Sequence, residues 1–312
     1  MKGAALTVIS HISCDRRQSL TYDLYSIWLF TFSDLKTIVG PKTAFGSLSA
    51  LSVSVFDIHP TPPTLWVLRR VLIVAFWTWI NLLPFSIDNQ RQPDAIKEDR
   101  LNKPWRPMPS GRLTGTEAKR LMFVLYAITL GTCIYLGGLK QCVALMFLGY
   151  WYNDLGGADI SPLTRNFING CGFICYSSGA MEVALRSQLP ASPLLIRWFA
   201  VIGVVVFSTV HTQDMYDQAG DSLRNRRTVP LVIGDGKARW TIAVAMSFWS
   251  VFCPWFWSLS LYGYLAPVVL GYTIAYRSLT KRSVKEDKMT FRIWNVWMIM
   301  VYTLPLVKCW SR

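Results

Sequence analysis

The chain has little charge for its length. Charged residues make up 16% of its 312 residues, whereas soluble domains carry about 25%. Hydrophobic residues make up 52% and aromatic residues 14%. A chain of this length could form two soluble domains or one polytopic membrane domain, and the shortage of charge favours the membrane domain.

Cysteine pairs with metal-binding or redox spacing are also missing. The seven cysteines show no CxxC spacing, and most lie inside apolar runs. Cys171 and Cys175 are one helical turn apart, which is more typical of helix packing than of a zinc site. We therefore expect free thiols.

Two further absences concern partners and targeting. No RNA- or DNA-binding motif accompanies the net charge of +14, so nucleic acid is not an expected partner, and no protein partner is predicted. The first residues, MKGAALTVISHISCDRR, are interrupted by Ser10 and His11 and make a poor signal peptide. We predict a cytosolic tail over residues 1–20 and one transmembrane domain over residues 21–312.

Long apolar runs, by contrast, are abundant and predict an all-α fold. A spanning helix needs about 20 mostly apolar residues. The chain offers nine such candidates, at roughly 38–58, 64–86, 115–136, 141–156, 164–184, 194–213, 239–258, 262–279 and 290–309. We expect a polytopic bundle of about nine transmembrane helices around a central cavity, embedded in the lipid bilayer.

The basic residues predict how this bundle is oriented. If the N-terminus is cytosolic, the loops after even-numbered runs face the cytosol. These loops hold sixteen basic residues against four on the other side, in agreement with the positive-inside rule. The sequence therefore predicts an integral multi-pass protein with its N-terminus and active-site mouth in the cytosol. The organelle stays open, with the endoplasmic reticulum as a candidate.

Acidic residues are concentrated after the sixth run, in HTQDMYDQAGDSLRNRRTVP at residues 211–230. On a regular helix, Asp214, Asp217 and Asp221 would fall within about 60° of one another. Mg²⁺ takes oxygen ligands and often binds through carboxylates together with substrate phosphate. The arginines that follow suit phosphate oxygens. Acid and base side by side indicate a metal–diphosphate site, more than a solvated loop.

A second acidic segment, DNQRQPDAIKEDRLNKPWRPMPSGR at residues 88–112, follows the second run and faces the same compartment. Its acidic residues are less regularly spaced, and Pro93 predicts a bulged or broken helix end. Spacing alone leaves open which of Asp94, Glu98 and Asp99 bind metal. The predicted topology allows the two segments to meet over one cavity.

At these residues the sequence resembles the UbiA superfamily of intramembrane prenyltransferases. NKPWRPMPSGR, at 102–112, is similar to the stretch that follows the first aspartate-rich motif of that family. DMYDQAGD followed by RNRRTVPL, at 214–231, is similar to the second. The family has nine helices and binds Mg²⁺ and a prenyl diphosphate at these motifs. The resemblance implies the same fold, cofactor and substrate class here.

The first motif departs from the family pattern N-x-x-x-D-x-x-x-D. Counting back from Asn102, Asp99 matches the second aspartate, whereas Ala95 and Arg91 stand where the first aspartate and the asparagine belong. This departure and the segment YNDLGGADISPLTRNFING, at 152–170, resemble fungal UbiA-type proteins of terpenoid pathways. Some of those proteins are terpene cyclases.

The resemblance therefore implies a terpene cyclase, a carbon–oxygen lyase that ionises farnesyl or geranylgeranyl diphosphate with Mg²⁺ and cyclises the cation. A UbiA-type prenyltransferase with an aromatic acceptor stays the alternative, and a transporter of an anionic solute is a remote one. The expected catalytic residues are Asp99, Asp217 and Asp221. The expected diphosphate-binding residues are Lys103, Arg106, Arg224 and Arg227. The expected metal ligands are Asn89, Asp94, Glu98, Asp99, Asp214, Asp217 and Asp221.

Other residues offer a cavity wall and a base. Glu182 and His211 are candidate bases, although a structural role is more typical of each. Asp154 is more readily explained as a capping or loop carboxylate. The candidate wall residues, each also explained by helix packing, are Trp77, Trp79, Tyr150, Tyr152, Phe173 and Tyr176.

Overall fold

The computed structural model describes residues 20–311. The predicted cytosolic tail, apart from its last residue, lies outside these residues, as does Cys14. Within them every regular element is a helix. The predicted all-α fold is confirmed.

The α-helices of residues 20–311 have these bounds: α1 Leu20–Thr31, α2 Gly40–Leu51, α3 Thr64–Arg91, α4 Pro93–Asn102, α5 Gly115–Leu136, α6 Leu139–Asn153, α7 Gly157–Ile160, α8 Pro162–Leu185, α9 Pro193–Thr209, α10 Gln218–Leu223, α11 Val229–Ile233, α12 Asp235–Phe256, α13 Leu261–Thr280 and α14 Val284–Trp310. Short 3₁₀-helices lie at Phe32–Asp34, Val53–Phe56 and Val210–Thr212, and a π-helix lies at Leu35–Val39.

Each of the nine predicted apolar runs coincides with a helix, namely α2, α3, α5, α6, α8, α9, α12, α13 and α14. Four helical stretches of the described chain are long and apolar enough to cross a membrane: Thr64–Arg91, Gly115–Leu136, Pro193–Thr212 and Val284–Trp310. The remaining helices are shorter or less apolar, so nine spanning helices stay a prediction.

Small residues bring α8 against its neighbours. A Cβ added at Gly46 of α2 would lie 2.6 Å from the carbonyl carbon of Ala180 in α8. One added at Gly170 of α8 would lie 2.9 Å from the carbonyl oxygen of Gly203 in α9. Small residues let helix backbones approach this closely. The contacts hold α8 between α2 and α9 and so fix the face that it turns inward.

The predicted break in the first acidic segment is confirmed. Helix α3 continues to Arg91, Gln92 is extended with a ψ of 144°, and Pro93 stands in the first turn of α4. Proline fits there because the first helical residue needs no N–H bond. The chain turns at this point, and α4 presents Glu98 and Asp99 to the interior, where both are buried.

The second acidic segment does not form the regular helix on which its three aspartates would share one face. Helix α9 ends at Thr209, and Asp217 is the N-cap residue of the separate helix α10. Between them the α-helical hydrogen bonds give way to shorter-range ones, such as Asp217 N–H to Asp214 O at 3.3 Å. Asp214, Asp217 and Asp221 therefore do not share one helical face, and each meets a different cation.

Candidate active site

The two acidic segments meet where α10 packs against α4. Lys103 Nζ lies 3.4 Å from Asp217 Oδ2, and Asn102 Nδ2 donates to the Asp217 carbonyl oxygen at 3.5 Å. Glycine at 220 permits this contact, because a Cβ there would lie 2.1 Å from Asn102 Nδ2. The prediction that both segments meet over one cavity is confirmed.

That cavity has a volume of about 600 Å³, within the usual range for small-molecule sites. Part of its lining, which we call the mouth, is rich in charged side chains, and the rest is aliphatic and aromatic. The predicted site residues that line it are Asn89, Glu98, Asp99, Lys103, Arg106 and Asp217.

Arg226 links the two segments electrostatically. Its Nη1 lies 3.2 Å from Glu98 Oε1 and 3.1 Å from Asp221 Oδ1. Its Nε lies 3.0 Å from Asp159 Oδ1, and Arg224 Nη1 approaches Glu98 to 3.6 Å. The Arg226 and Glu98 side chains are only 6% and 7% exposed, so salt screens this pair little. The sequence named Arg224 and Arg227 for the diphosphate, yet Arg226 is the arginine of this stretch that lines the cavity.

Asp99 is held by Arg106. One guanidinium nitrogen donates to both carboxylate oxygens, at 2.9 and 3.0 Å, and the other donates to Ser33 Oγ at 3.1 Å. The NKPWRP stretch thus folds back onto α4. A predicted metal ligand and a predicted diphosphate binder are paired with each other here.

Arg165 of α8 is a buried site residue that sequence reasoning missed. It lines the cavity and donates to Asp214 Oδ1 at 3.0 Å and to the Tyr152 hydroxyl. The available signal was a lone arginine inside a predicted apolar run, because ionisable residues at such positions usually serve function.

Burial and neighbouring arginines set the ionisation of the buried carboxyls. Burial raises the pKa of Asp221 to about 7. Asp214 adds to this rise, whereas Arg165 and Arg226 oppose it. At Glu98 burial also acts upward, but nearby positive charges, Arg226 first, outweigh it and leave the pKa below its ordinary value. Near neutral pH Glu98 is therefore ionised, while Asp221 retains a proton part of the time.

Three buried oxygen atoms in and beside the cavity are of the kind that a hard cation binds. Asp214 Oδ2, Asp221 Oδ2 and Asn89 Oδ1 are buried and have no hydrogen-bond partner among residues 20–311. Oxygen is the ligand that Mg²⁺ takes. In the described chain no three His, Cys, Asp or Glu side chains converge closely enough to enclose an ion. Binding would therefore rearrange the arginine–carboxylate pairs.

Five predicted site residues do not line the cavity: Asp94, Asp214, Asp221, Arg224 and Arg227. Asp214, Asp221 and Arg224 belong to the buried ion pairs beside it, whereas Asp94 and Arg227 are exposed. Asp94 pairs with Lys97 at 2.9 Å on the exposed face of α4, and its side chain is 66% exposed. Arg227 is also exposed, and its backbone N–H donates to the Asp159 carbonyl oxygen at 3.3 Å. Their predicted roles, as metal ligand and diphosphate binder, stay predictions.

Basic side chains from distant elements form a cationic rim around the mouth, composed of Lys36, Lys103, Lys288 and Arg292. Partial burial lowers the pKa of Lys36, and the positive charge of Arg292 acts in the same direction, as do Lys103 and Lys288. Within residues 20–311, Lys288 and Arg292 pair with no carboxylate. Sequence reasoning missed Lys36 and Arg292 because neither belongs to an acidic segment.

An apolar recess of about 60 Å³ adjoins the cavity. Its wall shares Ile38, Leu82, Phe85, Tyr152, Asn169 and Phe173 with the cavity and continues with Leu145, Leu148, Gly149, Ile168, Gly172 and Tyr176. Among the predicted wall residues, Tyr152, Phe173 and Tyr176 are thus present. Trp77 instead packs on Gly179, and Tyr150 is 51% exposed.

The candidate bases make structural contacts away from the cavity. Glu182 accepts hydrogen bonds from the Gly138 N–H at 3.3 Å and from Gln141 Nε2 at 2.9 Å. His211 Nε2 bonds Thr241 Oγ1 at 3.0 Å. Neither residue lines the cavity or the recess.

The protein is a helical bundle with apolar spans, and its charged cavity adjoins an apolar recess. These features define an intramembrane protein suited to a ligand with an anionic head group and an apolar tail. Residues 91–297 match the model of the UbiA prenyltransferase family, and the chain belongs to this family. It is an integral membrane protein.

Relatives extend over almost the whole chain. The chain is 26% identical over 284 residues to a fumagillin beta-trans-bergamotene synthase of Aspergillus fumigatus, covering 91% of this chain and 92% of that one. It is 25% identical over 288 residues to a diterpene cyclase of Hericium erinaceus, covering 90% and 86%. A polyprenyl transferase of the same fungus is 25% identical over 287 residues, covering 88% and 92%. Both cyclases and transferases are therefore similar to it.

Solved structures share the fold. A digeranylgeranylglyceryl phosphate synthase aligns with a TM-score of 0.57 and 18% identity, covering 93% of this chain and 99% of that one. A UbiA homologue of Archaeoglobus fulgidus, bound to GPP and Mg²⁺, aligns with a TM-score of 0.54 and 13% identity, covering 88% and 99%. At these identities the likeness concerns the fold alone.

Proposed function

We propose that this chain is a Mg²⁺-dependent membrane terpene cyclase, which ionises farnesyl or geranylgeranyl diphosphate and cyclises the cation. The observation that carries the proposal is one cavity whose charged mouth leads into an apolar recess. A diphosphate suits the charged mouth of the 600 Å³ cavity, and the apolar part of that cavity together with the adjoining recess of about 60 Å³ suits a prenyl chain. The relatives named as bergamotene synthase and diterpene cyclase, which match about nine-tenths of the chain, favour a cyclase.

The mouth places positively charged side chains next to the diphosphate, which gains negative charge as it leaves. Breaking the carbon–oxygen bond places negative charge on the diphosphate, and donors held in place beforehand stabilise that charge. The cationic rim offers Lys288 and Arg292, whose charges no carboxylate of the described chain neutralises. Lys103 and Arg226 add further positive charge, one from each acidic segment.

Mg²⁺, when bound, supplies further positive charge that stabilises the leaving diphosphate. The residues that would hold it are Asn89, Asp214, Asp217 and Asp221, three of which carry buried oxygen atoms without a partner in the described chain. Arg165 and Asp214 form a buried pair that holds this carboxylate in place, and without Arg165 the carboxylate would be a buried charge with no partner.

The recess protects the cation. An allylic cation that meets water becomes an alcohol, and an apolar wall excludes water. The rings of Phe85, Tyr152 and Phe173 line both cavity and recess and can stabilise positive charge. In the reaction one C–O bond breaks, a distal double bond forms the new C–C bond, and the cyclised cation loses one proton, which the released diphosphate accepts.

The alternative is a UbiA-type prenyltransferase, in which an aromatic acceptor attacks the cation. The similarity to a polyprenyl transferase supports it. The two functions differ in one requirement, because only the transferase needs a second substrate.

The test uses membranes that contain the protein, incubated with Mg²⁺ and farnesyl or geranylgeranyl diphosphate but no acceptor, and analysed by gas chromatography. We expect a cyclic hydrocarbon that disappears with EDTA and in Asp217→Asn. The matched control is Asp57→Asn, which removes the same charge from an exposed residue that does not line the cavity and should leave the product unchanged. If the prenyl diphosphate is consumed only after phenolic acceptors are added, the chain is a transferase.

A further inference from the structure

Asp159 of α7 is a carboxylate that belongs to neither acidic segment and has no role in the proposed reaction. Its Oδ1 accepts from Arg226 Nε at 3.0 Å, and its Oδ2 accepts from Arg224 Nη2 at 3.3 Å. Its backbone carbonyl oxygen accepts from the Arg227 N–H at 3.3 Å. Asp159 does not line the cavity. One residue in the connection between α6 and α8 therefore holds three arginines of the second acidic segment in place.

Arg226 is the one of these arginines that lines the cavity, and carboxylates hold two of its three side-chain nitrogens. Nη1 donates to Glu98 and Asp221, at 3.2 and 3.1 Å, and Nε donates to Asp159. Nη2 has no hydrogen-bond partner among residues 20–311, although it is not fully buried. Since a guanidinium is a rigid plane, fixing two nitrogens fixes the direction of the third. Nη2 is thus left to donate to an anion in the cavity.

The two anchors of this plane are not equivalent. Glu98 and Asp221 both bind Nη1, so together they fix one corner of the guanidinium and leave the plane able to turn about that corner. Asp159 is the carboxylate at Nε in the described chain, and it therefore decides where Nη2 points. Because its side chain is 31% exposed and lies outside the cavity, Asp159 does so without meeting the substrate.

We infer that Asp159 is a positioning residue for diphosphate binding, which acts by holding Arg226 so that Nη2 donates to a phosphate oxygen. This inference rests on the proposed function. Charge alone gives the opposite expectation, because a carboxylate near the site repels a diphosphate and its removal would strengthen binding. Loss of the anchor instead weakens binding, since the Arg226 side chain must then be ordered at a cost in conformational entropy. The direction of the effect therefore distinguishes positioning from simple electrostatics.

The test is Asp159→Ala, with binding of inorganic diphosphate measured by isothermal titration calorimetry on the purified full chain in the presence of Mg²⁺. We expect Kd to rise roughly three- to tenfold, the size expected for one lost charge-assisted contact. In an Arg226→Gln background the same substitution should change Kd by less than about twofold, because the side chain through which it acts is missing. Asp23→Ala removes an exposed carboxylate from the first turn of α1, away from the cavity. It is the matched control and should leave Kd unchanged.

The outcomes separate the inference from the proposed function, because binding of inorganic diphosphate is measured without any product. If the wild type binds no diphosphate, the proposed function fails. If the wild type binds it and Asp159→Ala binds it as tightly or more tightly, only the inference is overturned. An equal loss of affinity in the Arg226→Gln background overturns the inference as well, since Asp159 would then act through another group. Asp159→Asn, which keeps the shape but offers one acceptor oxygen to two arginines, gives the same readout should thermal unfolding show that the alanine variant is unstable.

Discussion

The positively charged side chains in this cavity are of two kinds: some form an ion pair with a carboxylate, and others do not. Arg165, Arg106 and Arg226 each hold a buried carboxylate, whereas Lys288 and Arg292 pair with none in the part of the chain that the structure describes. The paired cations keep the acidic groups in place. The unpaired cations are free to bind an anionic substrate.

For a paired cation, we expect Arg165→Met to lower the free energy of unfolding by about 3 kcal/mol, because it leaves Asp214 buried without its partner. The double variant Arg165→Met/Asp214→Leu should recover most of that loss, since neither charge remains. It should nevertheless form no hydrocarbon if Asp214 is needed for metal. Thermal unfolding in detergent and the hydrocarbon assay measure the two effects. A double variant with wild-type activity contradicts the functional role of the pair.

For an unpaired cation, we expect Arg292→Gln to raise KM for the prenyl diphosphate roughly three- to tenfold, and the difference should shrink as ionic strength rises. Lys285→Gln removes a positive charge from the first turn of the same helix, away from the cavity, and serves as the control. KM is measured at low and high salt. Equal KM values for the two variants would mean that the rim does not bind substrate.

At the scale of elements, the site depends on how two short helices pack against each other: α4, which follows the long helix α3, and α10, which follows α9. Helix α10 rests on α4 at Gly220 and Asn102, and this places Asp217 beside Lys103. The sequence indicated the break at Pro93, because proline has a fixed φ and no N–H. It did not indicate the 3₁₀-helix after Thr209, since shorter-range hydrogen bonds leave no comparable residue signal.

We expect Gly220→Ala to reduce activity at least tenfold, because the added Cβ would lie 2.1 Å from Asn102 Nδ2 and push α10 away from α4. Adding Asn102→Ala should restore part of the loss, since the obstructing atom belongs to a side chain. Gly236→Ala, where nothing lies within 4 Å of an added Cβ, is the control. An active Gly220→Ala variant would show that this contact does not position the site.

At the scale of the whole molecule, apolar runs and two charged segments were enough to predict the helical fold and the meeting of residues 88–112 with residues 211–230. The rest of the cavity could not be predicted in this way. Arg165, Lys36 and Arg292 come from three distant elements, and only tertiary packing brings them to one mouth. The distance of Asp94 from the cavity likewise depends on which face α4 buries.

The most direct measurement compares, without any acceptor, the amount of cyclic hydrocarbon formed with the amount of diphosphate released by the wild type. The account predicts a ratio near one with Mg²⁺ and neither product in Asp217→Asn, because a recess that excludes water lets the chain's own double bond capture the cation. Diphosphate release accompanied by prenyl alcohol alone, or no release until an acceptor is added, would contradict it.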